Sequence, residues 1–208
     1  MTPEEIRRLD PTGMHRWILD FPKQVEDAVR IGTETSLRLK TAGIRSIVLT
    51  GLGGSAIGGD LLRSYLAPDL AVPFIVNRHY VLPKFVDRNS LVIVSSYSGN
   101  TEETIAAHKD AIKRKARVLC ISTNGKTEEL ARKHRQALIT IPAGLSPRAA
   151  LAYSFFPLLV AFGKLKLIKP RTKDIKETVR VLSELATRFG NPASPDNAPL
   201  RLAERFRG

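Results

Sequence analysis

The 208-residue sequence contains a single cysteine, Cys120, which excludes a framework of internal disulfides. It also lacks a long apolar run. The longest stretch, residues 149–162, includes Tyr153 and Ser154 and is shorter than the roughly 20 apolar residues that a membrane helix needs. Residues 1–12 are polar and do not follow the pattern of a signal peptide. These absences predict a cytoplasmic protein with no membrane segment.

Acidic residues are few relative to basic ones: 33 Lys and Arg against 20 Asp and Glu give a net charge of +13. Such an excess is typical of nucleic-acid-binding proteins, but these basic residues are dispersed and no basic run is interleaved with aromatic residues. A dispersed positive surface either attracts small anionic substrates or simply keeps the protein soluble. We therefore predict no nucleic-acid partner.

The four histidines show no metal-ligand spacing, so the sequence predicts no metal site. We expect each of them to be a surface residue. They are His15, His79, His108 and His134.

Short apolar runs rich in β-branched residues alternate with helical patterns between positions 44 and 141. This alternation is typical of βαβ units and a parallel sheet. It predicts an α/β fold: a doubly wound, flavodoxin-like sheet of five parallel strands in the order 2-1-3-4-5, with helices on both faces. The predicted strands are residues 45–50, 72–76, 91–95, 117–122 and 137–141.

Helical patterns precede this region. Two helices are predicted over residues 14–42, with Gly43 as a C-terminal cap. Residues 1–43 are therefore predicted to be an N-terminal helical segment that packs on the domain.

The sheet domain is predicted to cover residues 44–168. Its last helix, 148–165, is apolar all round, so we expect it to be buried within the domain or against another subunit. Residues 169–208 are predicted to hold C-terminal helices and a linker. Those helices are 172–188 and 198–206, joined by the linker 190–197.

Two loops follow neighbouring strands of the predicted sheet. The glycine loop, residues 51–54, leads into a helix whose first N–H groups and dipole stabilise an anion. The hydroxyl loop, residues 96–101, reads Ser-Tyr-Ser-Gly-Asn-Thr. In the predicted order the first and third strands are neighbours, and the helices that follow them lie on opposite faces of the sheet. Both loops are therefore at the position where such sheets bind ligands. Four hydroxyl groups are therefore predicted to surround one phosphate: those of Ser55, Ser96, Ser98 and Thr101.

Each loop also has another interpretation. Ser98, Asn100 and Thr101 are all good N-cap residues for the helix that follows them. The glycine loop fits the loose G-x-G-x-x-G/A pattern of dinucleotide sites, in which Arg78 would have to accept a 2′-phosphate. The presence of both loops at neighbouring strand ends favours a monophosphate, while both alternatives stay open.

Arg148 is a third candidate because it opens an otherwise apolar helix after the fifth predicted strand. The carboxyl ends of parallel strands share one edge of the sheet, so its guanidinium can reach a ligand bound there. A solvated charge on a first helical turn is an equally good interpretation.

Four motifs in order make the sequence resemble the bifunctional phosphoglucose/phosphomannose isomerases, which are built on the sugar isomerase (SIS) domain. The motifs are DPTGM at 10–14, GLGGSAIGGD at 51–60, SSYSGNTEET at 95–104 and LSPRAAL at 145–151. The resemblance extends over nearly the whole chain and implies the fold of the N-terminal SIS domain of that family.

The resemblance implies interconversion of glucose 6-phosphate or mannose 6-phosphate with fructose 6-phosphate through a cis-enediolate, without a metal or organic cofactor. It implies that Arg148 stabilises the enediolate. It also implies the residues that hold the sugar phosphate: Gly54, Ser55, Ser96, Ser98 and Thr101.

Members of that family carry two SIS domains in tandem, and this sequence matches the first. The glutamate that acts as general base, and the histidine and lysine of ring opening, belong to the second domain, so none is assigned here. We expect the chain to bind a hexose 6-phosphate with little turnover, and to pair with a second SIS domain or form a homodimer. A non-catalytic SIS module that binds or senses a phosphosugar is the alternative.

Overall fold

The computed structural model describes residues 3–191, 194 and 197–206, and divides the chain into two compact units. The sheet unit comprises Asp27–Arg171. The helical unit comprises the residues up to Glu26 and those from Thr172 onward.

The helical unit contains helices from both ends of the chain. Asn197 fixes the start of its last helix: the Asn197 side-chain amide donates to the carbonyl of Phe189 at 2.9 Å, and its Oδ1 accepts the Leu200 N–H at 3.1 Å. Both predicted C-terminal helices are present, whereas residues 192, 193, 195 and 196 of the predicted linker lie outside the described residues. The helices are α1 (Pro3–Leu9), α2 (Met14–Leu19), the start of α3 (Phe21–Glu34), α8 (Thr172–Gly190) and α9 (Ala198–Phe206).

The sheet unit contains five strands, all parallel, in the order β2-β1-β3-β4-β5, so the predicted order is confirmed. A helix follows each of β1, β3 and β4, and an apolar helix follows β5. The strands are β1 (Ser46–Thr50), β2 (Phe74–Asn77), β3 (Ser90–Ser96), β4 (Arg117–Ser122) and β5 (Ala137–Thr140). The helices are α4 (Gly53–Leu66), α5 (Glu102–Lys113), α6 (Gly125–Lys133) and α7 (Leu151–Lys164).

Both faces of the sheet are covered, because its strands are apolar on both sides. One core contains Val48 of β1, Val92 of β3 and Cys120 of β4 together with Ala107 of α5, and these residues are fully buried. Helices α4 and α7 pack against each other and cover the opposite face, where Phe74 of β2 stacks on Phe162 with ring centroids 5.9 Å apart. The prediction of helices on both faces is therefore confirmed.

The apolar helix predicted at 148–165 is present as α7, but it begins at Leu151, so the predicted start is wrong and Arg148 lies in a preceding 3-10 turn, Pro147–Ala149. Most residues of α7 are buried within the sheet unit. Burial of this helix accordingly gives no support for a homodimer, which stays a prediction.

The helical prediction for residues 14–42 is wrong at its end. The second helix, α3, stops at Glu34, and Gly43 lies in a later turn with φ of +75° instead of capping it. The cause is a distant side chain: the Lys164 ammonium donates to the carbonyls of Thr33 at 2.6 Å and Thr35 at 2.7 Å. A cation at this position both satisfies the last carbonyls and complements the helix dipole.

The surface position predicted for His108 is also wrong. Thr104, Ala107, His108 and Ala111 form the buried side of α5, so the imidazole is fully buried. Its Nε2 lies 2.7 Å from Oε1 of Gln136. Burial lowers the pKa of His108 below its ordinary value of 6.5, and the hydrogen bond to Gln136 only partly opposes this.

This burial predicts a pH dependence of stability. The pKa of His108 is lower in the folded state than in the unfolded state, so the fold is more stable when the buried imidazole is neutral. This contribution to stability is complete above pH 6.5 and is lost as pH falls toward the folded-state pKa. The loss is at most about 1.4 kcal/mol per pH unit, the limit for one proton. We expect His108→Gln to reduce the change in unfolding free energy between pH 7.0 and 5.5, as measured by urea unfolding. An equal dependence of the unfolding free energy on pH in parent and variant would contradict this prediction.

Candidate functional site

The two predicted loops open at the same edge of the sheet. Strand β1 ends at Thr50 and α4 begins at Gly53, while β3 ends at Ser96 and α5 begins at Glu102. Because β1 and β3 are parallel neighbours, the N-termini of α4 and α5 lie at one edge, where the chain leaves the sheet in opposite directions. The partial positive charges of both helix ends therefore favour an anion at this position.

Hydrogen bonds join the hydroxyl loop to the start of α4 and also form within the hydroxyl loop itself. Ser55 Oγ accepts the Tyr97 N–H at 3.1 Å, and Ser96 Oγ lies 3.1 Å from Thr101 Oγ1. Ser55 and Ser96 are 8% and 2% exposed, whereas Ser98 is exposed and its Oγ accepts the Asn100 N–H at 3.3 Å. The structure thus places the four predicted hydroxyl groups on two loops that are held together.

The helix-cap interpretation is wrong for Thr101. This residue occupies the N-cap position of α5, but its side chain makes no capping hydrogen bond and its Oγ1 instead faces Ser96. Asn100 does act at a helix end, although not at the predicted one: its Oδ1 accepts the Lys126 N–H in the first turn of α6 at 3.0 Å. The Thr101 hydroxyl therefore has no structural task at the helix end.

Gly54 brings Arg148 to the start of α4. A Cβ atom at Gly54 would lie 2.7 Å from the carbonyl oxygen of Pro147, so only glycine allows the 3-10 turn to pass this close. Gly54, Ile57 and Arg148 line a cleft of about 370 Å³. Arg148 is exposed, and within the described part of the chain no carboxylate pairs with its guanidinium. This arrangement leaves a cation beside the anion-stabilising helix end.

Tyr97 was not among the predicted site residues, although it lies between Ser96 and Ser98. Its hydroxyl oxygen accepts the Leu145 N–H at 3.0 Å, and its carbonyl accepts the Thr123 hydroxyl at 2.7 Å. Burial raises the pKa of Tyr97, partly opposed by the Leu145 hydrogen bond, so the hydroxyl stays protonated near neutral pH. The only sequence signal was an aromatic side chain inside the hydroxyl loop.

The dinucleotide interpretation loses its support at the end of β2. Arg78 forms an ion pair with Asp60 of α4, so its guanidinium is already engaged. The neighbouring Asn77 is 5% exposed and its amide donates to the carbonyl of His79 at 2.9 Å. No side chain at this position is arranged for a ribose or a 2′-phosphate.

The described residues contain no group of three or more His, Cys, Asp and Glu side chains close enough to hold a metal ion. In the same ranges, every helix is too short or too polar to cross a membrane. Cys120 is buried, and burial raises the pKa of its thiol, which makes it a poor nucleophile.

Comparison with known proteins identifies the family. Residues 40–163 match the family model described as the SIS domain, and this range includes both loops and Arg148. A curated relative from Caldicellulosiruptor bescii, named bifunctional phosphoglucose/phosphomannose isomerase, is 50% identical over 193 residues, which cover 93% of this chain and 56% of that protein. The resemblance inferred from the motifs is therefore confirmed.

Two other matches show the breadth of the similarity. A curated D-glucosamine-6-phosphate 4-epimerase from Sulfolobus acidocaldarius is 32% identical over 180 residues, covering 81% of this chain and 56% of that protein. The crystal structure of a hypothetical protein from Thermus thermophilus has the same fold, with a TM-score of 0.65, 20% identity, and coverage of 98% of this chain and 52% of that one. The chain spans about half the length of the curated relatives it matches.

Proposed function

Because this chain belongs to the SIS domain family, we propose that it is the sugar-phosphate-binding half of an aldose–ketose isomerase acting on hexose 6-phosphates. One observation carries the proposal. The hydrogen bond from the Tyr97 N–H to Ser55 joins two helix N-termini and their hydroxyl groups at one edge of the sheet, beside the cleft that holds Arg148.

The phosphate is proposed to lie between the two loops. The backbone of Gly54 and the hydroxyl of Ser55 would contact it from one loop, and Ser96, Ser98 and Thr101 from the other. A phosphate dianion accepts such hydrogen bonds strongly because it is charged, and the two helix ends add favourable electrostatic potential. No lysine is required for this binding.

The sugar is proposed to extend into the cleft beside Arg148. Isomerisation of an aldose to a ketose removes a proton from C2 and returns one to C1, so the oxidation level is balanced without a cofactor. Negative charge develops on oxygen in the enediolate, and we propose that the Arg148 guanidinium stabilises it. The substrates we propose are glucose 6-phosphate or mannose 6-phosphate, interconverted with fructose 6-phosphate.

The general base is not assigned to this chain. The curated relatives are about twice as long as the matched region, so we propose that a second SIS domain or a second copy of this chain completes the site. Cytoplasmic location stays a prediction.

Titration calorimetry with the 208-residue chain tests this function. We expect fructose 6-phosphate, glucose 6-phosphate and mannose 6-phosphate to bind and unphosphorylated fructose not to bind. If none of the three hexose phosphates binds, the proposal is wrong. The epimerase relative favours including glucosamine 6-phosphate, and a clear preference for it would indicate a different phosphosugar reaction. Binding without turnover, even when a second SIS domain is supplied, would favour a sensing module.

Replacement of Arg148 gives a more specific prediction. We expect Arg148→Ala to raise the Kd for fructose 6-phosphate about tenfold, the effect of losing one charge-assisted contact. Arg132→Ala is the matched control, because it removes the same charge from the last turn of α6 at the opposite edge of the sheet. Equal effects of the two variants would show that only net charge matters and would contradict a role for Arg148.

A further inference from the structure

Tyr97 contacts the segments that follow three other strands at the carboxyl edge of the sheet. Its N–H donates to Ser55, in the first turn of α4 after β1, at 3.1 Å. Its carbonyl accepts the N–H and the hydroxyl of Thr123, after β4, at 3.2 and 2.7 Å. Its hydroxyl oxygen accepts the Leu145 N–H, after β5, at 3.0 Å. One residue therefore contacts the segments that follow β1, β4 and β5.

The contact with Leu145 bears directly on Arg148, which lies three residues further along the chain. The segment 142–146 between β5 and the 3-10 turn is mostly exposed. Within the described residues, the bond from the Leu145 N–H to the Tyr97 hydroxyl is the only hydrogen bond that joins this segment to another loop. The position of the 3-10 turn over Gly54 thus depends on packing, on this bond, and on the bond from the Ser154 hydroxyl at the start of α7 to the Gly54 carbonyl at 3.4 Å.

We propose that Tyr97 is a positioning residue that fixes the Arg148 segment relative to the phosphate loops, so that the sugar and the phosphate of one ligand are recognised together. This role rests on the proposed function. The backbone of Tyr97 organises the phosphate loops, and any residue other than proline would supply those bonds. The hydroxyl is specific to tyrosine and acts on the segment that carries Arg148.

The Tyr97→Phe variant separates these two tasks, because it keeps the ring and the backbone bonds and removes only the hydroxyl. Two ligands are compared by calorimetry: inorganic phosphate, which needs only the loops, and fructose 6-phosphate, which also reaches Arg148. We expect the Kd for phosphate to change less than about twofold and the Kd for fructose 6-phosphate to rise about three- to tenfold, the range for one lost hydrogen bond. We also expect faster exchange of the Leu145 amide hydrogen in the ligand-free chain.

A double-mutant cycle distinguishes positioning from general destabilisation. In the Arg148→Ala background, Tyr97→Phe should have no further effect on fructose 6-phosphate binding, because the side chain that it positions is absent. Tyr153→Phe is the matched control: it removes another tyrosine hydroxyl bond, to Asp27 at 3.1 Å, and should leave both Kd values unchanged.

The possible outcomes are separable. If the parent chain binds fructose 6-phosphate and Tyr97→Phe binds it equally well, or if the two substitutions are additive, the role of Tyr97 is overturned while the proposed function stands. If the parent chain binds no hexose phosphate, the proposed function fails and this role fails with it. An unchanged exchange rate at Leu145 would show that the hydroxyl does not hold the segment.

Discussion

The Gly99→Ala variant is expected to lose about 3 kcal/mol or more of unfolding free energy, because overpacking adds to backbone strain. Gly99 lies in the hydroxyl loop with φ of +70°, and a Cβ atom there would lie 1.7 Å from the carbonyl oxygen of Asn124. That oxygen belongs to backbone that also starts α6, where the Thr127 N–H donates to the Gly99 carbonyl at 2.9 Å. The clash cannot be relieved by rotating a side chain, so the hydroxyl loop and the start of α6 must separate.

Gly43→Ala is the matched control for this prediction. Gly43 has a φ of +75° in the same unit, and the nearest atom to an added Cβ is the guanidinium of Arg117 at 4.0 Å. The control should therefore lose only the cost of the left-handed backbone, about 1 kcal/mol. Urea unfolding followed by circular dichroism measures both variants. Equal losses would show that the contact with Asn124 is unimportant.

The sheet was predictable because its signals are local. Each strand is an apolar run, and Gly and polar residues mark where each strand stops. The alternation of strands and helices predicted a doubly wound parallel sheet, and the flavodoxin-like order that suits five such strands is the one observed. The positions of Ser55, Ser96 and Arg148 followed from that order, since parallel strands place the residues after their carboxyl ends at one edge. These residues required no knowledge of side-chain contacts.

The errors concern contacts between residues far apart in sequence. The end of α3 at Glu34 depends on Lys164, and no pattern near residue 34 contains that information. The burial of His108 depends on Gln136 supplying an acceptor inside the core, although its spacing with Ala107 and Ala111 was a usable signal. The helix-cap interpretation gave Asn100 the wrong helix. Its Oδ1 accepts a hydrogen bond from α6 instead, because the start of α6 lies close to the hydroxyl loop.

The three hydroxyl groups of the hydroxyl loop should contribute most of the ligand affinity. We expect the Ser96→Ala/Ser98→Ala/Thr101→Val variant to raise the Kd for fructose 6-phosphate at least about 100-fold, because each hydrogen bond to a charged group contributes about 1.5 to 3 kcal/mol. The N–H groups of the loop remain in this variant, so residual binding measures what the backbone and the helix dipoles supply. Calorimetry with fructose 6-phosphate and inorganic phosphate makes the measurement.

Ser90→Ala is the control for that variant, since Ser90 lies on the same strand at the opposite edge of the sheet. Its hydroxyl is bonded to that of Ser46 at 2.9 Å, so the substitution also removes a buried hydroxyl contact but should leave both affinities unchanged. The triple variant should weaken the binding of both fructose 6-phosphate and phosphate, whereas Tyr97→Phe should leave phosphate binding nearly unchanged. A triple variant that binds both ligands like the parent chain would contradict the placement of the phosphate between these loops. If the triple variant loses fructose 6-phosphate binding but still binds phosphate, these hydroxyl groups contact the sugar instead of the phosphate.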